Sequence, residues 1–369
     1  MNTKIVIFKR MHALVKRPFL WLYMLSGLLP INVSGQEEFN DTSLVIADTQ
    51  IFDVRLFDSD ELLKIILRFD ITNYKRKKPV EEYLDATLTY YISDTDSITK
   101  NIKLRARGNF RRTFCDFPPL RLNFSVSDST GGEFGGIDKL KLVPHCKTGL
   151  EVYVLKEYLA YKLYNVLTEN SFRVRLLEID YINTHKNSKP IKEYGFVIEP
   201  HELFEKRTNS TEVKADHLTQ KNISPDAMDR VAIFNYMIGN TDWSVPNQHN
   251  VQVFTHPDSK QASLGILIPY DFDYSGLVDA PYAVPFEALP IESVRDRLYV
   301  GICRDEGVYI NAIKEFANKK EDFYKVINEF TYLTRKSKEQ MINYLNSFYS
   351  QFDKRNSVIF DMLKSCKDF

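Results

Sequence analysis

The sequence predicts an α+β chain of two lobes, strand-rich first and mainly helical after. Three observations predict it: period-two alternation gathered between residues 40 and 145, helical patterning that takes over beyond Glu202, and a break at Pro200 between the two. The lobes are set at residues 36–200 and 201–369, with a linker near 199–203.

Residues 1–35 read as a secretory signal. Lys4, Lys9, Arg10, Lys16 and Arg17 form a basic start, Phe19 to Leu29 an apolar stretch, and Val33-Ser34-Gly35 a small-residue cleavage site. That stretch is shorter than the roughly 20 residues a spanning helix needs, and no later run approaches it. The expectation is an exported protein (periplasm, cell surface or secreted) with no membrane span after cleavage.

In the first lobe, Ala86 to Tyr91, Ile102 to Arg105, Leu120 to Phe124 and Lys139 to Val143 alternate as strands. A helix over Val152 to Leu167 puts Val152, Leu155, Leu159, Leu163 and Val166 on one face. Arg175 to Ile182 and Tyr194 to Ile198 then suggest a hairpin. In the second lobe, Ser224 caps a helix over Pro225 to Ile238 that stops at Gly239. Val251 to Phe254 and Leu264 to Pro269 read as a second hairpin. Ile310 to Phe316, Glu321 to Thr334 and Glu339 to Leu363 read as helices.

Removing residues 1–35 lowers Lys+Arg from 49 to 44 against 49 Asp+Glu. A mildly acidic chain argues against a nucleic-acid partner, whose affinity rests on clustered cations. The one strong basic run, Lys75 to Lys78, reads as a solvated loop between strands. Four cysteines in an exported chain invite a Cys115–Cys146 bridge, about 3–4 kcal/mol in the chain-entropy model, and a Cys303–Cys366 bridge. Four buried thiols are the alternative.

The chemistry is concentrated in Gly239-Asn240-Thr241-Asp242, His249-Asn250 and Pro269-Tyr270-Asp271-Phe272-Asp273. An acid after a helix, an Asn before a strand and an acid after the next strand are the parts that position a hydroxyl and hold metal-bound phosphates. Asp242 is the candidate base. Asn250 and Asp271 come to one end of a hairpin and would face one metal, and oxygen-only donors suit Mg2+ or Mn2+ over zinc. Turn and capping chemistry is the bland account of each residue taken singly. Arg107 and Arg121 are candidates to grip phosphate in a fork, or else rungs of a solvent-facing ladder. Glu157 would orient a basic residue, or else form a solvated pair with Lys156. Gly131-Gly132 and Gly135-Gly136 before Lys139 and Lys141 read as a phosphate-covering loop or a hairpin turn.

Much of the chain resembles the CotH-type secreted atypical kinases: Arg107-Gly108-Asn109, Pro119 to Phe124, Lys139 to Val143, Leu159 to Leu163, Tyr194 to Glu199, Asn240-Thr241-Asp242, His249-Asn250 and Pro269 to Asp273. The resemblance implies a two-lobed protein kinase-like fold and transfer of the γ-phosphate of ATP, with Mg2+ or Mn2+, to protein Ser/Thr hydroxyls in the envelope or outside the cell. Asp242 would be the catalytic Asp, with Asn250 and Asp271 holding the metal. Two departures stand out: Phe272-Asp273 replaces Phe-Gly, and Trp243 follows the catalytic Asp where many kinases carry a basic residue. The alternative is a catalytically silent, kinase-like surface or envelope assembly protein.

Overall fold

The first lobe's strands do not form an open sheet: they close into a barrel. The computed structural model describes residues 54–93, 95–124, 132–257, 264–352 and 357–367, so the predicted signal segment and Gly131 lie outside the described residues. In chain order the elements are β1 (Leu63–Phe69), α1 (Ile71–Lys77), β2 (Leu84–Tyr91), β3 (Ser97–Ala106), α2 (Phe110–Phe114), β4 (Leu120–Phe124), β5 (Lys139–Pro144), α3 (Glu151–Leu167), β6 (Val174–Asn183) and β7 (Ile191–Ile198). There follow α4 (His201–Thr208), β8 (Thr211–Glu212), α5 (Pro225–Ile238), β9 (Val251–Thr255), β10 (Ile266–Pro269), α6 (Glu306–Asn318), α7 (Lys320–Glu329), α8 (Arg335–Tyr349) and α9 (Ser357–Ser365).

The barrel runs β1-β2-β3-β4-β5-β7-β6 and closes where β6 lies parallel to β1, Leu63 opposite Leu177 and Phe69 opposite Asn183. Every other pairing in it is antiparallel. Inward positions are apolar: Leu63, Ile65, Leu67 and Phe69 on β1, Leu88 and Tyr90 on β2, Ile102 and Leu104 on β3, Leu120 and Leu122 on β4, and Ile179 and Tyr181 on β6. Each such side chain contributes about 1.5–3 kcal/mol on leaving water. On β5, β6 and β7 the outward face is covered too. Val143, Val174, Leu176, Phe196 and Ile198 join α3 and the later helices in a second core. The start of β6, Val174 to Leu177, is accordingly buried without a break, Arg175 included.

These facts overturn the expected two-lobed protein kinase-like fold. β1, which the alternation of the other strands did not bring into view, occupies both free edges at once, next to β2 and next to β6. The second core then passes from the barrel's outer wall into the helices, and Ile51–Phe369 is one compact unit. α3 also differs from its predicted one-sided form. It packs on β6, β7 and α7, and Tyr158, Tyr161 and Tyr164 are buried along with the predicted face.

Some local signals are read correctly. Ser224 caps α5 by accepting from the Ala227 N–H, and Gly239 ends it in the left-handed region at φ 67°. Where a Cβ on Gly239 would stand, the Tyr344 hydroxyl is 2.0 Å away, so only glycine fits. The basic run does not form a loop. Lys75 to Lys77 end α1, and Lys78 donates to the carbonyls of Thr113 and Cys115. Both disulfides, Cys115–Cys146 and Cys303–Cys366, are formed, and no free cysteine remains. The second ties the stretch after α9 to Ile302, where Lys367 bridges it.

Candidate functional site

A cleft of about 470 Å3 opens at one end of β3, β4, β5 and β7, against α3 and the loops that follow α5 and β10. One wall carries Arg107, Arg111 and Lys141, the other Asp242, His249, Asn250, Asp271 and Asp273. Val143, Phe172, Ile198 and Tyr270 line an apolar side. The volume is in the range of small-ligand pockets.

Asp242 is placed by the end of α5. The Asn240 N–H donates to the Asn235 carbonyl at 2.7 Å, its amide to Asn235 Oδ1, and its Oδ1 accepts from the Asp242 N–H at 3.1 Å. Asn240 is therefore a buried brace. Asp242 keeps both oxygens engaged: His249 Nε2 lies 2.9 Å from Oδ1, and Asn250 Nδ2 donates to Oδ2 at 2.9 Å and to the Asp242 carbonyl at 2.8 Å. His249 thus touches the candidate base directly.

The β9–β10 hairpin brings the other two acidic-wall residues together. Val251 opposes Pro269, and the Tyr270 N–H donates to the Asn250 carbonyl at 3.0 Å. Asn250 and Asp271 both adopt positive φ, 52° and 62°, so the chain at Asp271 is not extended. The Asp271 N–H donates to the Tyr161 hydroxyl of α3 at 2.8 Å. Its carboxylate has no hydrogen bond or ion pair among the described residues, and it lines the cleft.

Asp273 turns inward. It is 4% exposed, accepts from the Tyr282 hydroxyl at 3.0 Å and lies 3.8 Å from Arg111 Nη1. Burial pushes its carboxyl above the ordinary range, and neighbouring Asp271 adds to the rise. Glu157 on α3 is buried as well and does not line the cleft. Its Oε2 meets Arg111 Nη1 at 2.9 Å, while burial raises its carboxyl against the pull of that guanidinium. Lys156 is no solvated partner for it, because it is buried and donates to the Val278 carbonyl. Burial works against the charge of Arg111 itself, but Tyr282, Glu157 and Asp273 outweigh it.

The basic wall rises from outward positions of the barrel. Arg105, Arg121 and Lys141 stand in register across β3, β4 and β5, with Arg107 two residues beyond Arg105. Lys141 and Arg107 line the cleft, and Arg121 does not. Burial lowers Arg107, opposed by Asp271 and Tyr161. Its guanidinium has no hydrogen bond or ion pair among the described residues. Burial also brings the Lys141 ammonium down to about 8, helped by Arg107 and Arg121. Lys141 Nζ sits 3.4 Å from His201 Nε2 and 5.5 Å from the Tyr270 ring centroid. Gly132 to Gly136 form the turn that leads into β5 and take no part in the cleft. Trp243 is 7% exposed and belongs to the second core.

Of the six residues singled out in the sequence, Arg107, Asp242, Asn250 and Asp271 therefore share one cavity. Glu157 reaches it through Arg111, and Arg121 stands behind Lys141. The sequence missed Arg111 and Tyr282. Their only written signal is that Arg111 lies four residues before Cys115, which a disulfide holds next to the end of β5.

No family model matches the chain, and no curated protein matches it. Among solved structures it is similar to one titled as the crystal structure of a Helicobacter pylori proinflammatory kinase, CtkA, at 11% identity and a TM-score of 0.38, over 68% of this chain and 97% of that one. Similarity of that degree assigns no activity or substrate to this chain.

Proposed function

We propose that the cleft binds ATP with Mg2+ or Mn2+ and passes the γ-phosphate to a serine or threonine hydroxyl of a protein in the envelope or outside the cell, the activity that the CotH-type resemblance implies. The observation that carries this reading is the opposition of Arg107 and Lys141 to Asp242, Asn250 and Asp271 across one small-ligand cavity with an apolar side.

The donors fit a hard cation. Among the described residues no three His, Cys, Asp or Glu side chains gather as a complete metal cage. The cleft offers instead the Asp271 carboxylate, without a partner among the described residues, and the side-chain Oδ1 of Asn250, whose Nδ2 is spent on Asp242. Mg2+ is commonly held this way, by one or two protein oxygens with phosphates completing the shell. When bound, such an ion neutralises phosphate charge. The chain's own groups do the rest. Arg107 grips phosphate oxygens in a fork, Lys141 and Arg121 add positive field, and the apolar side takes the flat base. Asp242, its carboxylate fixed by His249 and Asn250, orients the incoming hydroxyl and accepts its proton. Glu157 acts on this wall by fixing Arg111.

Export has separate support. Two formed disulfides suit an oxidising compartment, and among the described residues no helix is long and apolar enough to cross a membrane.

Titration with ATP and Mn2+, followed by thermal shift and by transfer of labelled phosphate to exported proteins, tests the reading. Metal-dependent stabilisation that disappears in Asp271→Ala is expected. No stabilisation in the unaltered protein would end the nucleotide reading, while stabilisation without transfer would leave a silent binding protein.

A further inference from the structure

Asp242, Asp271 and Asp273 line the cleft and Glu157 stands behind it, yet the four differ in what faces them. The Asp271 carboxylate has no hydrogen bond or ion pair among the described residues. Asp273 and Glu157 share a single guanidinium, that of Arg111, which is 8% exposed and sits 2.9 Å from Glu157 and 3.8 Å from Asp273. Where two metal ions assist phosphoryl transfer, a set of acids holds both ions.

We infer that Arg111 is a built-in counter-ion that stands where a second divalent cation would bridge Asp273 and Glu157, so that the cleft takes one metal ion and not two. Three contacts hold it there independently of any ligand. Its Nη2 donates to the Pro144 carbonyl, α2 carries it, and Cys115 directly after α2 is bonded to Cys146, two residues beyond Pro144. Tyr282 takes a further lone pair of Asp273. The remaining oxygen of Glu157, Oε1, is buried without a hydrogen bond, as is Arg111 Nε. One guanidinium thus faces two carboxyls, and it leaves an oxygen of Glu157 without a hydrogen bond. A cation placed there after loss of Arg111 would find oxygens from two elements already facing it.

The stoichiometric part rests on the phosphotransferase reading; the Arg111 part does not. Mn2+ binding to the whole protein is counted by electron paramagnetic resonance, alone and with a non-hydrolysable ATP analogue. The unaltered protein is expected to take no more than one ion per chain in either state. Arg111→Met is expected to gain one ion without nucleotide, to lose it again when combined with Asp273→Asn, and to be stabilised by Mn2+ more than the unaltered protein. Arg111→Lys should keep the original count. Two ions bound by the unaltered protein with the analogue would overturn the inference whether or not any variant folds, and so would a folded Arg111→Met that gains none. If the analogue fails to bind but Arg111→Met gains its ion, the inference stands and the phosphotransferase reading falls.

Discussion

The inside of the barrel and a row of cations on its outer face, of which Lys141 enters the cleft, are built from the same three strands. Leu104, Leu122 and Leu140 point in from β3, β4 and β5, and Arg105, Arg121 and Lys141 point out. Along a strand, successive side chains point to opposite faces, so a one-residue slip would put the cations in the core and the leucines outside. The comparison teaches that the apolar face sets the register and the site inherits it. The barrel needs no charge to stand, and the cleft has no geometry without the barrel.

That difference can be broken at either face. The largest effect is expected on the acidic wall: Asp242→Asn should lower phosphate transfer by about 10²- to 10⁴-fold, the usual share of a general base. Its melting temperature should stay near that of the unaltered protein, which differential scanning fluorimetry would check. Arg111→Ala should cost about 3–5 kcal/mol of unfolding free energy, because it leaves the buried Glu157 and Asp273 uncompensated. Replacing Arg111 and Glu157 together by Met and Leu should recover part of that loss in urea titrations; an equal or larger loss would mean that the pair stabilises in its own right. On the inner face, Leu104→Ala should cost about 2–5 kcal/mol and leave nucleotide affinity per folded molecule unchanged. A weaker affinity there would show that the two faces are not separable.

The smallest effect is a pH dependence at Lys141. Its ammonium loses its proton near pH 8 in the fold, against about 10.4 for an ordinary lysine. Nucleotide affinity should therefore fall as pH rises through 8. Stability moves the other way: between pH 8 and the ordinary value the unfolded chain binds the extra proton, so the cost of burying the Lys141 ammonium is full and constant below about 8 and is relieved as pH rises above it. Subtracting Lys141→Met melting curves from those of the unaltered protein isolates it, and a flat difference would place the ammonium in water.

What could be read beforehand was local. The cap at Ser224, the stop at Gly239 and the hairpin that joins Asn250 to Asp271 all follow from short-range chemistry. Closure could not be read, since nothing in Leu63–Phe69 announces a parallel partner in β6. Nor could depth. Lys156 and Glu157 look like an exposed pair on a helix until elements far away in sequence bury α3, and Arg111 is buried although the rest of α2 is not. The predicted helix over Glu339 to Leu363 is two, α8 ending at Tyr349 and α9 beginning at Ser357. No Pro or Gly marks that break, which the polar stretch after Tyr349 supplies instead.

The parallel seam of the barrel also sets a clock. Leu63 pairs with Leu177, which is 114 positions later (177 − 63). At about 5–20 residues per second, synthesis separates the two strands by roughly 6 to 23 s. Through that interval the outer edge of β1 has no partner, and an unpaired strand edge is a template for the wrong chain. Cys115 and Cys146 both emerge within it, so the bond that steadies α2 can form while the barrel is still open.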